Sequence, residues 1–299
     1  MPKIQQLPNH LINQIAAGEV VERPASVVKE LVENSLDAGA TTIDVEIESG
    51  GMKLIRILDN GVGISKDDLQ LALSRHATSK IHSLDDLEAI GSLGFRGEAL
   101  PSIASVSRLS ISSSLEGKQH GWKVEARTEQ LIEPSPQQQS GTTIEVRDLF
   151  YNVPARKKFL RTERTEFNHI ESLFKTLALS RPMVALRLIH NRKTIYQLPA
   201  ADSETSNQMR LSRICGTEFA SSVVTIDIEI DGMTLKGWVA LPTFSRSQAD
   251  MQYFFVNQRM IRDKVVSHAV RQAYQDVLFH GRHSAFVLYL SVDPRQVDV

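Results

Sequence analysis

Residues 42–48, Thr-Ile-Asp-Val-Glu-Ile-Glu, alternate apolar and polar side chains without a break. A period of two predicts a strand with one wet face. Just upstream the period lengthens. Val27, Val28, Leu31, Val32 and Leu36 cover most of a helix running roughly from 24 to 38, with Pro24 suited to its first turn and Gly39 to its end. Gly50-Gly51 turns the first strand into a second that ends at Asp59. Ser65-Lys-Asp-Asp68 resembles a capping box, with Asp in place of the usual Glu, and opens the next helix. From Ser74 to Glu98 the periodicity weakens and glycines collect at 91, 94 and 97. A loop of that length in a compact domain is usually functional or mobile. Further strands are predicted near 106–114, 121–127 and 142–148, and Phe167, Ile170, Leu173, Phe174 and Leu177 mark an amphipathic helix.

The stretch Pro199-Ala-Ala-Asp-Ser-Glu-Thr-Ser-Asn207 is polar and breaks the pattern, which places a domain boundary there. The expected division is 1–199 and 208–299. Beyond the boundary come strands near 223–230, 234–241, 252–257 and 284–292, with a helix near 263–278. The fold class is α+β, the second domain being a small α+β or α/β unit. The Gln137-Gln-Gln139 run, after Pro134 and Pro136, reads as an exposed loop.

Composition narrows the function classes. With 299 residues, one very large domain or two ordinary ones are expected. A formal charge of -1 means that any nucleic-acid surface must be local. One cysteine, Cys215, excludes an internal disulfide. No signal peptide and no long apolar run are visible, so no membrane association is expected and a reducing cytosol is the simplest compartment.

The chemistry-bearing residues begin on the first helix. Glu30, Asn34 and Asp37 stand at i, i+4 and i+7, one polar stripe on an otherwise mostly apolar helix. A carboxylate there suits a general base for water. An amide oxygen one turn along suits Mg²⁺, which prefers hard oxygen ligands and keeps several waters. Asp59, before Asn-Gly61-Val-Gly63, suits a hydrogen bond from the exocyclic amine of adenine; guanine presents an oxygen there. Gly61 and Gly63 allow close backbone approach. Gly94-Phe95-Arg96-Gly97-Glu98 offers backbone N–H groups to phosphates. There is no Gly-x-x-x-x-Gly-Lys-[Ser/Thr] loop and no dinucleotide fingerprint. Each feature alone has an ordinary explanation: a surface polar residue, an Asn-Gly turn, a flexible loop. Their joint occurrence, in this order, is what carries the reading.

Glu30-Leu-Val-Glu-Asn34-Ser-Leu-Asp37-Ala, Asp59-Asn-Gly61-Val-Gly63-Ile, Gly94-Phe-Arg-Gly97-Glu-Ala-Leu100 and Gly141-Thr-Thr143 resemble the four ATP-binding motifs of the GHKL superfamily, which includes gyrase, dimeric heat-shock chaperones and histidine kinases. Three longer stretches are more specific. Gln14-Ile-Ala-Ala-Gly-Glu-Val-Val-Glu-Arg-Pro-Ala25, Arg75-His-Ala-Thr-Ser-Lys80 and Phe150-Tyr-Asn-Val-Pro-Ala-Arg-Lys-Lys-Phe159 resemble the MutL family of DNA mismatch-repair proteins, and the similarity covers the whole chain.

The resemblance implies a Bergerat-type ATP-binding α/β sandwich followed by a ribosomal-S5-like α/β domain, with a nucleotide lid over about 74–98. It implies ATP and Mg²⁺ as cofactors, Glu30 as general base, Asn34 as Mg²⁺ ligand, Asp37 beside them and Asp59 as adenine reader. Thr143 would help hold the adenine end, while Thr78, Ser79, Lys80 and residues 94–98 would close over the phosphates. It further implies a weak ATPase acting as a conformational switch, and a homodimer formed through the ATP-bound N-terminal half, with Ile4, Leu7 and Pro8 in an ordered arm. The implied partners are duplex and single-stranded DNA, the mismatch-recognition protein MutS, and a downstream endonuclease and helicase, in the bacterial cytosol near the nucleoid. In the family a lysine that reaches the γ-phosphate follows an Asp-Pro-x-x-Val-Asp-Val segment. This chain ends at Asp293-Pro-Arg-Gln-Val-Asp-Val299. It therefore reads as an N-terminal fragment, truncated at the end of its second domain, that binds ATP, hydrolyses it poorly and leaves apolar surface uncovered.

DNA contacts are expected from two basic clusters: Arg156, Lys157, Lys158, Arg161 and Arg164, and Arg259, Arg262, Lys264, His268 and Arg271. Such residues track phosphates without regard to sequence. A charged helix face that is merely solvated is the alternative. Two rival functions remain: a histidine-type kinase, for which no phosphoacceptor segment is found, and a chaperone-like ATP clamp without DNA contact. His280-x-x-His283 lacks a third metal ligand nearby, and Cys215 reads as a small apolar residue rather than a nucleophile.

Overall fold

The computed structural model describes residues 21–74, 77–78, 97–118, 120–126, 132–136, 139–278 and 281–293. The chain divides into two compact units, Met1–Phe174 with Val184–Pro199 and Lys175–Met183 with Ala200–Val299.

The first unit is built on an eight-stranded sheet. Helix α1 (Pro24–Asp37) precedes strands β1 (Thr42–Glu48) and β2 (Leu54–Asp59), which are joined by a 3₁₀ turn at Ser49–Gly51. Short helices α2 (Lys66–Leu71) and α3 (Ala99–Ser105) come before β3 (Arg108–Ser114), β4 (Gly121–Glu125), β5 (Ile132–Ser135) and β6 (Gly141–Arg147). Helix α4 (Pro154–Phe159), the first part of the long helix α5 (Glu163–Ser180), whose residues from Lys175 on belong to the second unit, and strands β7 (Ala185–His190) and β8 (Lys193–Leu198) complete it. The strand order is β5-β4-β3-β6-β2-β1-β7-β8, with only β1 and β7 parallel among these pairs.

The alternation of β1 separates the two faces of this sheet. Ile43, Val45 and Ile47, with Ile55 and Ile57 of β2, are buried. Helix α1 packs on β1 and β2. Gly51 has φ +88, and a Cβ there would meet Pro24 Cβ at 2.6 Å and Ile170 Cδ1 at 3.3 Å. The turn therefore has to be glycine where the starts of α1 and the middle of α5 converge. The opposite face carries a charge ladder. Arg56 donates to Glu46 (2.6 Å) and Glu145 (2.8 Å), Arg147 donates to Glu145 (2.9 Å), and Arg187 pairs with Asp44. Cross-strand opposite charges of this kind stabilise a solvated sheet face.

Several elements depart from the pattern reading. Strand β5 was not among the expected elements; it contains Pro134, which is possible because β5 is the sheet edge and the missing N–H need not join a ladder. Gln139 is exposed, as expected of that run, and Gln137 and Gln138 lie outside the described residues. The hairpin β7–β8 was not among the expected elements. It turns on Asn191 and Arg192, both at positive φ (48° and 67°).

The second unit has a five-stranded sheet, order β12-β11-β13-β10-β9, formed by β9 (Val223–Ile230), β10 (Met233–Ala240), β11 (Gln252–Val256), β12 (Arg259–Met260) and β13 (Phe286–Ser291). Helices α6 (Glu204–Cys215) and α7 (Thr217–Ser221) precede the sheet, and α8 (Lys264–Ala273) lies between β12 and β13. The polar stretch at 199–207 thus opens a helix: Ser203 caps α6 by accepting from Ser206 N. On one face Phe254, Phe286 and Leu288 are covered by Val266 and Val270 of α8. On the other, buried Arg210 of α6 donates to the Ala178 and Arg181 carbonyls (3.0 and 3.3 Å), and Tyr289 Oη donates to Leu179 O (2.9 Å). These groups satisfy carbonyls at the end of α5 that have no partner within the helix. Burial lowers the Arg210 pKa to about 10, which still leaves the group charged at neutral pH.

Candidate nucleotide site

Asp59 lies at the end of β2 in register with Ile43 of β1, two residues beyond Ile57. Side chains two apart on a strand share a face, so the alternation that buries Ile55 and Ile57 also points the Asp59 carboxylate at α1. There it meets Ser35, whose hydroxyl donates to Asp59 Oδ2 at 2.7 Å. Asp59 Oδ1 accepts from Gly61 N at 2.9 Å and Thr142 N at 3.1 Å. Asp59 is 7% exposed. A carboxylate has about four acceptor positions, and these bonds occupy three, leaving one on Oδ2.

The backbone around Asp59 is correspondingly tight. A Cβ on Gly141 (φ +123) would lie 2.0 Å from Asp59 O, and one on Gly63 (φ +79) would lie 2.3 Å from Ser114 O. A Cβ on Gly61 would lie 2.8 Å from Ala38 O, at the end of α1. Ser113 extends the network: its hydroxyl accepts from Ile64 N (2.7 Å), donates to Gly141 O (3.0 Å) and contacts Thr142 Oγ1 (2.9 Å). Asn60 holds the start of β1 by accepting from Thr41 N and Thr42 N (2.9 and 2.8 Å).

Sequence reasoning did not find Ser35, Ser113 or Thr142. Ser35 carried a signal, being a small polar residue on the buried side of α1. Thr143 is in register with Leu58 and therefore faces the other side of the sheet from the Asp59 carboxylate. Its neighbour Thr142, which is buried, is the threonine that reaches Asp59.

Glu30 and Asn34 occur on the partly exposed flank of α1, one turn apart, and Asp37 is exposed at its end. The Glu30 side chain is 29% exposed, with Lys29 Nζ 3.7 Å from its Oε1. Lys29 also pairs with Glu33 at 3.1 Å; burial raises the Glu33 carboxyl above its usual range, and Lys29 opposes that shift. Of the proposed lid, Thr78, Gly97 and Glu98 are described. A Cβ on Gly97 (φ +60) would lie 2.7 Å from Ala77 O, so the backbone of these two residues is in close contact. Ser79, Lys80, Gly94, Phe95 and Arg96 lie outside the described residues, as do Ile4, Leu7 and Pro8 of the arm.

The basic clusters are placed separately. In the first unit Lys157, Lys158 and Arg161 are exposed on or just after α4, and Phe159 beside them is 83% exposed. Arg156 is partly buried, its guanidinium 6.0 Å from the Phe150 ring centroid. In the second unit Arg262, Lys264 and Arg271 are exposed at or on α8, whose N-terminus is capped by Asp263. Burial pushes the Cys215 thiol up to about 12, so it stays protonated at neutral pH and is no nucleophile. Among the described residues no group of three or more potential metal-binding side chains occurs, and no helix is long and apolar enough to cross a membrane.

Comparison with known proteins agrees with this arrangement. Residues 22–148 match the family described as histidine kinase-, DNA gyrase B- and HSP90-like ATPase, and residues 211–299 match that of the DNA mismatch repair protein, C-terminal domain. The DNA mismatch repair protein MutL of Cellvibrio japonicus is 62% identical over 100% of this chain and 48% of its own length. That of Chromohalobacter salexigens is 58% identical over 99% and 47%. The chain thus spans about half the length of the curated relatives it matches. The solved structure of the Aquifex aeolicus MutL ATPase domain complexed with ADP is 31% identical, with a TM-score of 0.68, covering 92% of this chain and 94% of that one. A crystal structure of the N-terminal domain of a DNA repair protein shares the fold at a TM-score of 0.80 and 24% identity, covering 98% and 91%. With likeness at this level running through both units, the chain belongs to the MutL family of DNA mismatch-repair proteins.

Proposed function

We propose that the first unit binds Mg-ATP with adenine against Asp59, hydrolyses it slowly, and passes its nucleotide state to the DNA-processing steps of mismatch repair. The observation that carries this is the Asp59 carboxylate, buried, held by three donors and left with one acceptor position. An adenine amine fills that position; a guanine carbonyl oxygen would face a carboxylate there. Thr142 rather than Thr143 belongs to this end of the site. Gly61 and Gly63 keep the backbone close to the base or ribose.

At the phosphate end, Glu30 is the base for water and Asn34 supplies an amide oxygen to Mg²⁺. Asn34 fits that ion as a hard, uncharged donor on a partly exposed helix face, where the ion keeps its waters. Bound Mg²⁺ would neutralise charge on the phosphates; Asp37 lies at the edge of this set. Thr78, Ser79, Lys80 and the segment from Gly94 to Glu98 form the lid over the phosphates. ADP in the Aquifex aeolicus relative supports a nucleotide at this fold position.

Non-specific DNA contact is assigned to Arg156, Lys157, Lys158 and Arg161 in one unit and Arg262, Lys264 and Arg271 in the other. The switch reading extends to ATP-dependent homodimerisation, to coupling with a mismatch-recognition protein and to a downstream endonuclease and helicase near the nucleoid. Titration of the chain with ATP and with GTP, each with Mg²⁺, tests the site. ATP should bind at least about tenfold more tightly, the worth of one hydrogen bond exchanged for a repulsion. Equal affinities would overturn the assignment of Asp59.

A further inference from the structure

Three neighbouring strands of the first unit end their inward rows in the same way. Across β2, β6 and β3 the register aligns Ile55, Val146 and Leu109, then Ile57, Ile144 and Ile111. All six are buried apolar side chains. Two residues further along each strand the row turns polar. Asp59, Thr142 and Ser113 stand there, all three buried and Ser113 completely so. Alternation alone favours an apolar residue at 113. A buried hydroxyl is tolerated in its place only when it is hydrogen-bonded.

Those hydrogen bonds join two segments that flank Asp59. Ser113 Oγ accepts from Ile64 N at 2.7 Å and donates to Gly141 O at 3.0 Å, with Thr142 Oγ1 2.9 Å away. Ile64 follows the Gly61-Val-Gly63 segment, whose Gly61 N donates to Asp59 Oδ1 at 2.9 Å. Thr142 N, next to Gly141, donates to the same oxygen at 3.1 Å. One hydroxyl on β3 therefore closes a ring that runs from Asp59 through Gly61 and Ile64 to Ser113, and back through Gly141 and Thr142. Ser113 acts through these two segments rather than on the carboxylate itself. The glycines bring the segments close: a Cβ on Gly63 would lie 2.3 Å from Ser114 O and 3.3 Å from Ser113 Oγ, and one on Gly141 2.0 Å from Asp59 O. With no side chains to wedge them apart, the segments take their separation from the groups that bridge them, Asp59 Oδ1 at one end and Ser113 Oγ at the other.

We infer that Ser113 is a positioning residue for purine selectivity. By tying Ile64 to Gly141 it keeps Asp59 Oδ1 between its two donors, and so keeps the remaining acceptor position on Oδ2 aimed in one direction. The inference rests on the proposed reading of Asp59 as the adenine contact. Discrimination against guanine depends on that direction, because a carboxylate free to turn away both bonds the adenine amine less well and repels the guanine oxygen less.

Calorimetric titration of the 299-residue chain with ATP and with GTP, each with Mg²⁺, gives an affinity ratio for the parent and for each variant. Ser113→Ala should lower ATP affinity about fivefold, the worth of one hydrogen bond, without lowering GTP affinity, so the ratio falls about fivefold or more. Ser113→Thr, which keeps the hydroxyl on a side chain suited to a strand, should retain the parent ratio. Ser114→Ala, at the next buried position of β3, should retain it too. Should the alanine variant fail to fold, Ser113→Cys places a weakly bonding sulfur in nearly the same shape and should show the same fall. A hydroxyl that serves folding alone predicts a lower melting temperature in Ser113→Ala and Ser113→Cys with the ratio unchanged. That result overturns the inference and leaves the reading of Asp59 standing. A parent chain that binds both nucleotides alike overturns the reading of Asp59, and the inference with it.

Discussion

Ser35 on α1 donates to Asp59 at the end of β2 across 2.7 Å, and through that bond the helix carrying Glu30 and Asn34 is pinned to the end of β2. On the proposed reading, one helix serves both ends of a nucleotide. Replacing Asp59 by Asn keeps the oxygen that accepts from Gly61 and Thr142 and turns an amide toward Ser35 and the base. The adenine amine then meets a donor. ATP affinity should fall about tenfold or more, with little change in fold, as calorimetric titration would register. Ser35→Ala should instead cost about 1 kcal/mol of stability, read as a lower melting temperature.

On the proposed reading, Glu30 and Asn34 separate turnover from binding. Glu30→Ala should leave ATP affinity unchanged and lower hydrolysis by roughly 10²–10⁴-fold. Asn34→Ala should weaken Mg-ATP binding itself. A coupled ATPase assay beside a binding titration distinguishes them, and identical profiles for the two variants would remove the distinction of roles.

Gly141 begins β6 directly over Asp59. Any Cβ there would occupy the space of the Asp59 carbonyl, 2.0 Å away, in a backbone conformation disfavoured for L-residues. Gly141→Ala should destabilise the first unit by about 2 kcal/mol or more. Chemical denaturation should show this, whereas Gly117→Ala, where a Cβ meets nothing within 4 Å but φ is +73, should cost less.

His190 stacks on Phe167 with ring centroids 3.8 Å apart, and its Nε2 is 3.4 Å from Glu163 Oε1. Burial lowers its pKa below the ordinary 6.5, and Glu163 only partly opposes that shift. Below 6.5 the unfolded chain therefore holds more protons than the folded one. This residue's contribution to stability falls as pH drops from 6.5 toward the folded-state value. In His190→Leu that component of the acid-side loss of melting temperature should disappear; an unchanged pH profile would count against it.

DNA binding should depend steeply on salt if the basic clusters track phosphates. Removing Lys157 and Lys158 together should reduce the slope of log affinity against log salt by about 2, uniformly across sequences. Band-shift titrations over a salt series measure that slope, and a flat response in the parent chain would exclude a phosphate-tracking surface.

The alternation at 42–48 and the apolar positions of α1 fixed both elements in advance, because burial of one face depends only on local period. Strands β9 and β10 were expected at nearly these positions too, although no residue of β9 is buried and Val224, Ile228 and Ile230 are exposed. Local polarity did not reveal what a cap or an edge adds. The 199–207 stretch, which begins where the chain divides between Pro199 and Ala200, also contains the Ser203 cap of α6, and Pro134 is accepted in β5 because an edge strand needs no donor on its free side.

From sequence alone came the fold class, most strands, and the order Glu30, Asn34, Asp59 with its glycines, since these depend on spacing along the chain. Tertiary structure decided which threonine faces Asp59, that Ser35 and Gly141 enclose it, and that Arg210 and Tyr289 finish α5 from distant positions. Those outcomes hinge on register between strands and on contacts separated by as many as 110 residues, for which no local period exists.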